Sequence, residues 1–309
     1  MNYGATGLPN LPKRVTIYEV GARDGLQNEK ALVPTEVKAE FIRQLLAAGH
    51  VAVETTSFVS PQWVPQLADA ADLLALLEHP EGVRMPVLVP NDKGLNRELD
   101  AGVKEIAVFG SATETFAQKN LNRSVAESLE MFRPVVDRAR TEGLQVRGYL
   151  SMCWGDPWEG EVDPHVVAGH ARSLFDLGIT ELSLGDTIGV ATPGRVLGLL
   201  EALGQQGISP DQLAVHFHDT YGQALANTLM ALQHGVTVVD ASAGGLGGCP
   251  YAKSATGNLA TEDLLWQHEG LGIETGVDLQ ALVATSVWMA EQLGRPSPSR
   301  TVTALSKES

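Results

Sequence analysis

Eight short apolar runs alternate along the chain with longer segments of helical periodicity, and this alternation constrains the fold more than any other feature. The runs predict β-strands because they are short, rich in β-branched residues and bounded by turn signals. They cover Val15–Val20, Val51–Thr56, Val83–Val89, Glu105–Phe109, Gln145–Met152, Glu181–Leu184, Leu213–His218 and Val236–Asp240. Intervening segments such as Thr35–Ala48 and Thr220–His234 carry an apolar stripe and end before glycine. The alternation predicts an α/β fold, a closed (β/α)8 TIM barrel of parallel strands.

A single domain accounts for the length of the chain. There are 309 residues, and a barrel of this kind takes roughly 250. We predict a flexible lead-in over residues 1–14, one catalytic barrel with C-terminal helices over residues 15–295, and a tail over residues 296–309. The C-terminal helices are predicted at Glu262–His268 and Leu279–Leu293. No glycine-rich nucleotide-binding pattern follows the first strand, which removes support for a dinucleotide or Walker-type site.

Charge and composition narrow the set of partners. Lysine and arginine total 22 against 37 acidic residues, a formal net charge of −15, which disfavours nucleic acid and anionic membranes as partners. No apolar run approaches the roughly 20 residues that cross a bilayer. Two cysteines, Cys153 and Cys249, are too few for a disulfide framework. Because the first fourteen residues also match no secretory or transit signal, we expect a cytoplasmic protein.

Two histidines stand side by side on the seventh predicted strand. Alternate side chains of a strand face opposite sides, so His216 and His218 share the face opposite Val215 and Phe217. Function in a parallel barrel sits where the strands end. The pair therefore indicates a metal site at the barrel mouth, and the plainer alternative is two polar residues that satisfy local hydrogen bonds.

Polar side chains also follow other predicted strands at the same end. After the first strand, Arg23 and Asp24 stand between Gly21 and Gly25, a pattern that predicts a bent backbone holding a cation beside a carboxylate. The second, fifth and sixth strands end in further polar residues, namely Glu54, Thr55, Thr56, Ser57, Tyr149, Ser151, Ser183 and Asp186. This concentration of polar groups predicts the functional site of the barrel.

A mixed nitrogen and oxygen metal site follows from these positions. His216 and His218 supply two imidazoles, Asp24 supplies a carboxylate, and the loop after the eighth strand supplies an amide oxygen. This set suits Mg²⁺ or Mn²⁺ better than tetrahedral zinc, which takes thiolates or a third histidine. The sequence does not distinguish the two ions, and a hydrogen-bond network at the rim is the alternative.

The loop Ala243–Tyr251 contains four glycines in five positions. Each glycine costs about 1 kcal/mol inside a helix or strand, so the run predicts a mobile or closely approached segment, and we predict a lid. Cys249 in this loop is either an incidental thiol or an acid-base group held over the barrel mouth.

Five segments together resemble the 3-hydroxy-3-methylglutaryl-CoA lyase family, and the resemblance covers the chain from about Val15 to Leu293. The segments are Glu19–Glu29, Glu54–Pro61, Leu184–Thr187, His216–Asp219 and Gly245–Ala252. The Arg-Asp and His-x-His patterns alone are shared with a wider superfamily of metal-dependent lyases and Claisen-type acyltransferases. The glycine-cysteine loop singles out the lyase. The chain differs from the family pattern by small residues at Ala22 and within Ser242–Gly245. These differences affect the expected stiffness of the two loops.

The resemblance implies retro-Claisen cleavage of 3-hydroxy-3-methylglutaryl-CoA to acetyl-CoA and acetoacetate, a step of leucine degradation. It implies an acyl-CoA substrate, a homodimer, and Mg²⁺ or Mn²⁺ held by Asp24, His216, His218 and Asn258. The cleavage begins with loss of the C3 hydroxyl proton, for which Asp24 and His216 are the two alternative bases.

The remaining roles implied by the resemblance concern charge and protons. Arg23 holds the thioester oxygen as enolate charge develops. Glu54 orders the metal shell or Arg23, and Cys249 protonates the enolate. Weaker candidates for the substrate pocket are Gln27, Ser57, Tyr149 and Asp186, with barrel packing as the alternative for Ser57 and Tyr149.

Three alternatives to this function stay open. A lyase for a larger 3-hydroxyglutaryl-CoA and a condensing enzyme of the isopropylmalate or homocitrate synthase type share the chemistry of the site. The synthases commonly carry an added regulatory domain, for which this chain has no room. The third alternative is a non-catalytic binding barrel, whose sequence mark would be the loss of Arg23, Asp24 or one histidine, and all of these residues are present.

Overall fold

Eight parallel strands form the centre of the computed structural model, which describes residues 6–248 and 257–306. The strands are β1 (Thr16–Glu19), β2 (Thr56–Ser57), β3 (Val87–Leu88), β4 (Glu105–Ser111), β5 (Gln145–Ser151), β6 (Glu181–Asp186), β7 (Leu213–Phe217) and β8 (Val238–Ala241). Their spatial order is β1-β8-β7-β6-β5-β4-β3-β2. The predicted α/β barrel is thereby confirmed.

The seam between the first and second strand segments closes the barrel. The backbone N–H of Glu19 donates to the carbonyl of Ala52 at 3.0 Å, and the N–H of Glu54 donates to the carbonyl of Glu19 at 2.9 Å. A parallel bridge between Glu19 and Val53 accompanies these bonds. Glu19 therefore joins the two edges of the sheet through its backbone.

Two strands are much shorter than the sequence predicted. The predicted strand Val51–Thr56 is reduced to isolated bridges followed by β2, and the predicted strand Val83–Val89 is reduced to β3. Pro86 lies between the bridge at Arg84 and β3, and it has no N–H to donate to a ladder. Because these two segments pair with each other, the interruption shortens both.

Eleven helices, counted over the part of the chain that the structure describes, surround and extend the barrel. They are α1 (Thr35–Ala47), α2 (Ala70–Ala75), α3 (Asp92–Asp100), α4 (Glu114–Leu121), α5 (Val125–Thr141), α6 (Pro164–Leu177), α7 (Pro193–Gln205), α8 (Ala224–Gln233), α9 (Thr261–Leu271), α10 (Leu279–Leu293) and α11 (Arg300–Leu305). Among these described helices, none is both long and apolar enough to cross a membrane.

Helix α8 begins four residues later than predicted, at Ala224 and not at Thr220. Gly222 has φ +70°, a left-handed conformation that interrupts a helix. The Asp219 carboxylate accepts a hydrogen bond from the Ala224 N–H at 3.0 Å, so the turn has its own stabilising contact.

Both ends of the described chain contact the C-terminal helices. The N–H of Thr6 donates to the carbonyl of Gly270 at 3.0 Å, next to the end of α9. Helix α11 lies within the segment predicted as a tail, and the sequence analysis did not predict it. Its N-cap is Ser299, whose hydroxyl accepts from the Val302 N–H at 3.1 Å, and Val302 is buried. The core lies between the strands and this outer layer of helices.

Candidate active site

Three side chains that can bind a metal ion meet at the C-terminal end of the barrel. His216 and His218 lie at the end of β7, and Asp24 follows β1. One ligand atom from each lies within 4.8 Å of the others, and the two imidazole centroids are 5.4 Å apart. The structure therefore brings together the two histidines and the carboxylate that the sequence predicted as ligands.

Asn258 completes this cluster. Its side-chain amide donates to the Asp24 carboxylate at 2.8 Å and to the Leu246 carbonyl at 3.0 Å. Asn258 Oδ1 and His218 Nδ1 are buried and make no hydrogen bond of regular geometry among the described residues. Buried polar atoms are costly to leave unpaired, and an amide oxygen and an imidazole nitrogen are both donor atoms for a divalent cation. These residues fit a metal ion.

The turn that carries Arg23 and Asp24 is tightly packed against the glycine-rich loop. Residues Gly21–Gly25 form one π-helical turn, a rare form that concentrates at functional sites. A Cβ added to Gly25 would lie 2.9 Å from Leu246 Cβ and 2.9 Å from Ser242 Oγ. Only glycine permits this approach, which explains the predicted bend.

Arg23 is a buried cation held by two carboxylates. Its Nε and Nη2 lie 2.7 and 2.6 Å from Glu54 Oε2, and its Nη1 lies 2.8 Å from Asp24 Oδ1. Burial alone would lower the pKa of Arg23, but Glu54 and Asp24 raise it above its ordinary value. Burial would raise the pKa of Asp24, yet Arg23, followed by His216 and His218, lowers it. Both groups are therefore ionised at neutral pH.

The two histidines have opposite electrostatic environments. His216 Nδ1 lies 3.3 Å from Asp240 Oδ2. Burial lowers the pKa of His216, but the contact with Asp240 and the charge of Asp24 raise it above its ordinary value. Burial, helped by His216, lowers the pKa of His218 to about 4. His218 is therefore neutral at physiological pH, the form in which imidazole binds metals.

Sequence reasoning missed Asp240 and Arg147. Asp240 lies at the end of β8, where the Arg147 guanidinium contacts both of its carboxylate oxygens, at 2.6 and 3.1 Å. Burial would raise the pKa of Asp240, but Arg147 lowers it to about 2. Strand alternation contained the signal, because Arg147 shares a barrel-facing side of β5 with Tyr149 and Ser151.

Of the four weaker candidates, Tyr149 is the one whose side chain contacts the central groups in the part of the chain that the structure describes. Its hydroxyl lies 3.2 Å from Glu54 Oε2, and its ring centroid lies 6.4 Å from that of His216. The Ser57 hydroxyl donates to the Leu88 carbonyl at 3.1 Å. Both carboxylate oxygens of Asp186 accept from the backbone N–H groups of Val190 and Ala191. These bonds give Ser57 and Asp186 fixed positions, and the charge of His216 also acts on Asp186. Their contact with substrate stays a prediction. The fourth candidate, Gln27, is half-buried in the loop after β1.

The first part of the glycine-rich loop, Ala243–Leu246, is buried, and the end of the predicted lid lies outside the described residues. The Ala243 N–H donates to Glu19 Oε1 at 2.9 Å, and the Gly244 N–H donates to the Glu262 carboxylate at 2.9 and 3.0 Å. Gly244 has φ +65°, a left-handed backbone conformation that is strained for a residue with a side chain. The glycines here permit close approach, the second of the two predicted explanations. Cys249 lies outside the described residues.

Comparison with known proteins fixes the family. Residues 14–288 match the HMGL-like family. The chain belongs to this family. A mitochondrial hydroxymethylglutaryl-CoA lyase of Rattus norvegicus is 52% identical over 302 residues, which are 98% of this chain and 93% of that relative. A cytoplasmic 3-hydroxy-3-methylglutaryl-CoA lyase of the same species is 49% identical over 97% of this chain and 87% of its own length. An Arabidopsis thaliana mitochondrial relative is 52% identical over 96% of this chain, which spans 63% of its length.

Solved structures of family members share the whole fold. A hydroxymethylglutaryl-CoA lyase from Pseudomonas aeruginosa superposes with a TM-score of 0.94 at 49% identity, covering 97% of this chain and 100% of that one. An HMG-CoA lyase from Acinetobacter baumannii, solved in complex with coenzyme A and 3-methylmalate, has a TM-score of 0.90 at 35% identity and covers 97% of each chain. The barrel and its C-terminal helices are therefore a family architecture.

Proposed function

We propose that this chain cleaves 3-hydroxy-3-methylglutaryl-CoA into acetyl-CoA and acetoacetate. The observation that carries the proposal is the meeting of Arg23 with Asp24, His216 and His218 at the barrel mouth, in a chain about half identical to hydroxymethylglutaryl-CoA lyases over nearly its whole length. The solved relative that contains coenzyme A and 3-methylmalate supports an acyl-CoA substrate.

The proposed metal ligands are Asp24, His216, His218 and Asn258, and the proposed ion is Mg²⁺ or Mn²⁺. A bound divalent ion supplies a Lewis acid that makes a chelated hydroxyl group more acidic. The buried Asn258 Oδ1 and His218 Nδ1, without regular hydrogen bonds among the described residues, support this assignment, and so does the low pKa of His218, which keeps its ring neutral. Oxygen and imidazole donors without thiolates favour these ions over structural zinc.

The residues of the chain then divide the proton and charge chemistry between them. Asp24 and His216 are the two candidate bases for the C3 hydroxyl proton of the substrate. As the C2–C3 bond breaks, its electron pair moves into the thioester enolate, and the C3 oxygen becomes the ketone of acetoacetate. The fixed, permanently charged guanidinium of Arg23 stabilises the enolate oxygen without a proton transfer. Glu54 keeps this guanidinium in place through the contacts at 2.6 and 2.7 Å.

Protonation of the enolate carbon is the last step, and we assign it to the Cys249 thiol. The support is the family resemblance of the loop and its attachment beside the ligand cluster, where a Cβ on Gly247 would lie 2.5 Å from Asn258 Nδ2. We expect Cys249→Ala to lower kcat by about 10²–10⁴-fold, the usual contribution of a positioned general acid. Cys153→Ala is the matched control, because Cys153 is buried with its thiol bonded to the Leu150 carbonyl. Equal kcat values for the two variants would contradict the assignment.

The deciding experiment is an assay of acetoacetate release on metal-depleted protein, with a thiol reductant present. Addition of Mg²⁺ or Mn²⁺ should restore cleavage of 3-hydroxy-3-methylglutaryl-CoA. If the protein binds the ion but cleaves only a larger 3-hydroxyglutaryl-CoA, the proposed acyl group is wrong, while the proposed type of carbon-carbon cleavage is supported. Absence of metal binding would overturn the proposal.

We also propose a cytoplasmic homodimer that acts in leucine degradation. The cytoplasmic rat relative supports a cytoplasmic location. Mitochondrial relatives of similar identity make a mitochondrial location the alternative. Light scattering on the purified protein tests the dimer, and cell fractionation tests the compartment. Growth of a deletion strain on leucine as sole carbon source tests the pathway.

A further inference from the structure

Arg147, on β5, is a buried arginine whose guanidinium contacts two carboxylates and a hydroxyl group. Its side chain has no solvent exposure. The guanidinium binds Asp240 at 2.6 and 3.1 Å, Glu181 at 2.6 Å and the Tyr149 hydroxyl at 2.9 Å. Its Cζ lies 3.7 Å from the centroid of the buried Tyr18 ring. The hydrogen bonds of its nitrogens, together with the Tyr18 ring beside its Cζ, fix the guanidinium in one orientation.

The first branch from Arg147 leads to the metal cluster. Asp240 receives two guanidinium contacts and a hydrogen bond from the Ser183 hydroxyl at 2.8 Å, so its carboxylate has a fixed position. The same carboxylate lies 3.3 Å from His216 Nδ1. When a carboxylate accepts the Nδ1 proton, the ring keeps its lone pair on Nε2 for a metal ion. The orientation of the His216 ring therefore depends on Arg147, which acts on it only through Asp240.

The second branch leads to Arg23. Because the Tyr149 oxygen accepts a hydrogen bond from Arg147, its own proton is free for the Glu54 carboxylate, 3.2 Å away. Glu54 in turn binds Nε and Nη2 of Arg23. These contacts run from Arg147 through Tyr149 and Glu54 to Arg23. Arg23 is the cation proposed to stabilise the enolate.

Stability alone does not account for this buried arginine. The interior of a TM barrel is usually filled by branched apolar side chains. Replacing a buried ion pair by apolar side chains of similar volume is often neutral or stabilising. An arginine at this position is therefore better explained by what it orients than by what it contributes to folding.

We propose that Arg147 is a positioning residue that sets both halves of the site at once. Through Asp240 it fixes the ring of His216, and through Tyr149 and Glu54 it fixes Arg23. This inference builds on the proposed function, because its tests use the metal ion and the lyase reaction.

Arg147→Lys tests the proposal, and Arg84→Lys is its matched control. Arg84 also pairs with Glu181 and stacks over the Tyr18 ring, but its other ion pair among the described residues is with Glu105 and not with Asp240. Mn²⁺ binding to metal-depleted protein is followed by electron paramagnetic resonance, and kcat and KM are measured separately. We expect Arg147→Lys to weaken Mn²⁺ binding by about 10- to 100-fold, as for lost outer partners of metal ligands. It should also lower kcat at saturating Mn²⁺, whereas Arg84→Lys should keep the wild-type affinity.

Single changes further along each contact path separate the two branches. Asp240→Asn should weaken Mn²⁺ binding. Tyr149→Phe should leave Mn²⁺ binding intact and lower kcat more than it changes KM. If Arg147 acts on the metal through Asp240, the double variant Arg147→Lys/Asp240→Asn should bind Mn²⁺ no more weakly than the worse single variant.

The outcomes separate this inference from the proposed function. A folded Arg147→Lys protein with the Mn²⁺ affinity and kcat of Arg84→Lys would overturn the inference, while wild-type cleavage would still support the function. Failure of the wild type to bind Mn²⁺ or to cleave the substrate would overturn the function itself. If Arg147→Lys does not fold, the variants Asp240→Asn and Tyr149→Phe test the inference instead. It is overturned if Asp240→Asn keeps the wild-type Mn²⁺ affinity and Tyr149→Phe keeps the wild-type kcat.

Discussion

Two groups of buried or partly buried carboxyl groups lie near the barrel mouth, and they are held in different ways. Asp24, Glu54 and Asp240 each contact an arginine guanidinium. Glu19 and Glu262, at the base of the glycine-rich loop, accept hydrogen bonds from backbone N–H groups and hydroxyls, with no arginine or lysine ion pair among the described residues. The first group is held by ion pairs with arginine, and the second by hydrogen bonds from uncharged donors.

The pKa values show the consequence of this difference. Burial would raise the pKa of Asp240, but Arg147 lowers it to about 2. Burial raises the pKa of Glu19 to about 7 and that of Glu262 to about 8, because their hydrogen bonds do not compensate for lost hydration. Asp24 and Asp240 therefore remain ionised, whereas at Glu54 burial outweighs the contact with Arg23 and raises the pKa. In the second group Glu262 is largely neutral at physiological pH and Glu19 is partly neutral, and both hold the loop in place.

The largest effect should come from removing the cation of the first group. We expect Arg23→Gln to lower kcat by about 10²–10³-fold, the usual loss for one preorganised group that stabilises an oxyanion. Mn²⁺ affinity should change less than in a variant of a ligand, because Arg23 contacts the proposed ligand Asp24 but does not itself bind the ion. Steady-state kinetics and a metal titration measure the two effects, and an unchanged kcat would remove Arg23 from the proposed chemistry.

His218→Ala tests a buried side chain that has neither a cation nor a carboxylate bonded to its ring nitrogens. As a direct ligand it should matter more than an outer partner, so we expect Mn²⁺ affinity to fall by at least about 100-fold. The measurement is a Mn²⁺ titration of metal-depleted protein, and wild-type affinity would reject His218 as a ligand.

Glu54→Gln and Glu262→Gln place the same substitution in the two groups. Glu54→Gln leaves a buried guanidinium with one carboxylate fewer, and we expect the free energy of unfolding to fall by about 3 kcal/mol. Urea denaturation followed by circular dichroism measures the loss. A loss as small as that of Glu262→Gln would show that the charge of Glu54 is unimportant for folding.

The smallest effect is expected for Glu262→Gln. At neutral pH it should change the free energy of unfolding by less than about 1 kcal/mol, because the amide oxygen still accepts the hydrogen bonds. The wild-type carboxyl binds its proton more tightly when folded, so its stabilising contribution is complete below the ordinary pKa of 4.5 and is lost as the pH rises through about 8. The Gln variant should lack this component. Denaturation at several pH values tests it, and parallel pH profiles would contradict a neutral Glu262.

The fold and the centre of the site were predictable because both depend on local patterns. Strand and helix periodicity predicted the barrel, and the polar strand ends predicted that Asp24, His216 and His218 would meet. Pro86 was the local signal for the interruption of two strands, which the hydrophobic runs alone did not reveal.

The supporting residues were not predictable because their roles depend on distant partners. Strand alternation placed Arg147 on the barrel-facing side of β5, but its partner Asp240 lies 93 residues away in sequence, and no local pattern indicated that pairing. Glu262 was predicted only as the start of a helix, yet its carboxylate holds the backbone of Gly244. Glycine density indicated either movement or close packing in that loop, and only the three-dimensional contacts separate the two.

The seam at Glu19 also bears on how the protein folds. The backbone of this residue closes the barrel, and its carboxylate holds Ala243, which lies 224 residues away in sequence. Contacts between segments so far apart in sequence form slowly, because chain entropy must be lost before they stabilise the structure. A folding intermediate in which β1 has not joined β8 has neither Asp24 beside His216 nor an anchored glycine-rich loop. Catalytic competence should therefore require that β1 has joined β8 and that the glycine-rich loop is anchored.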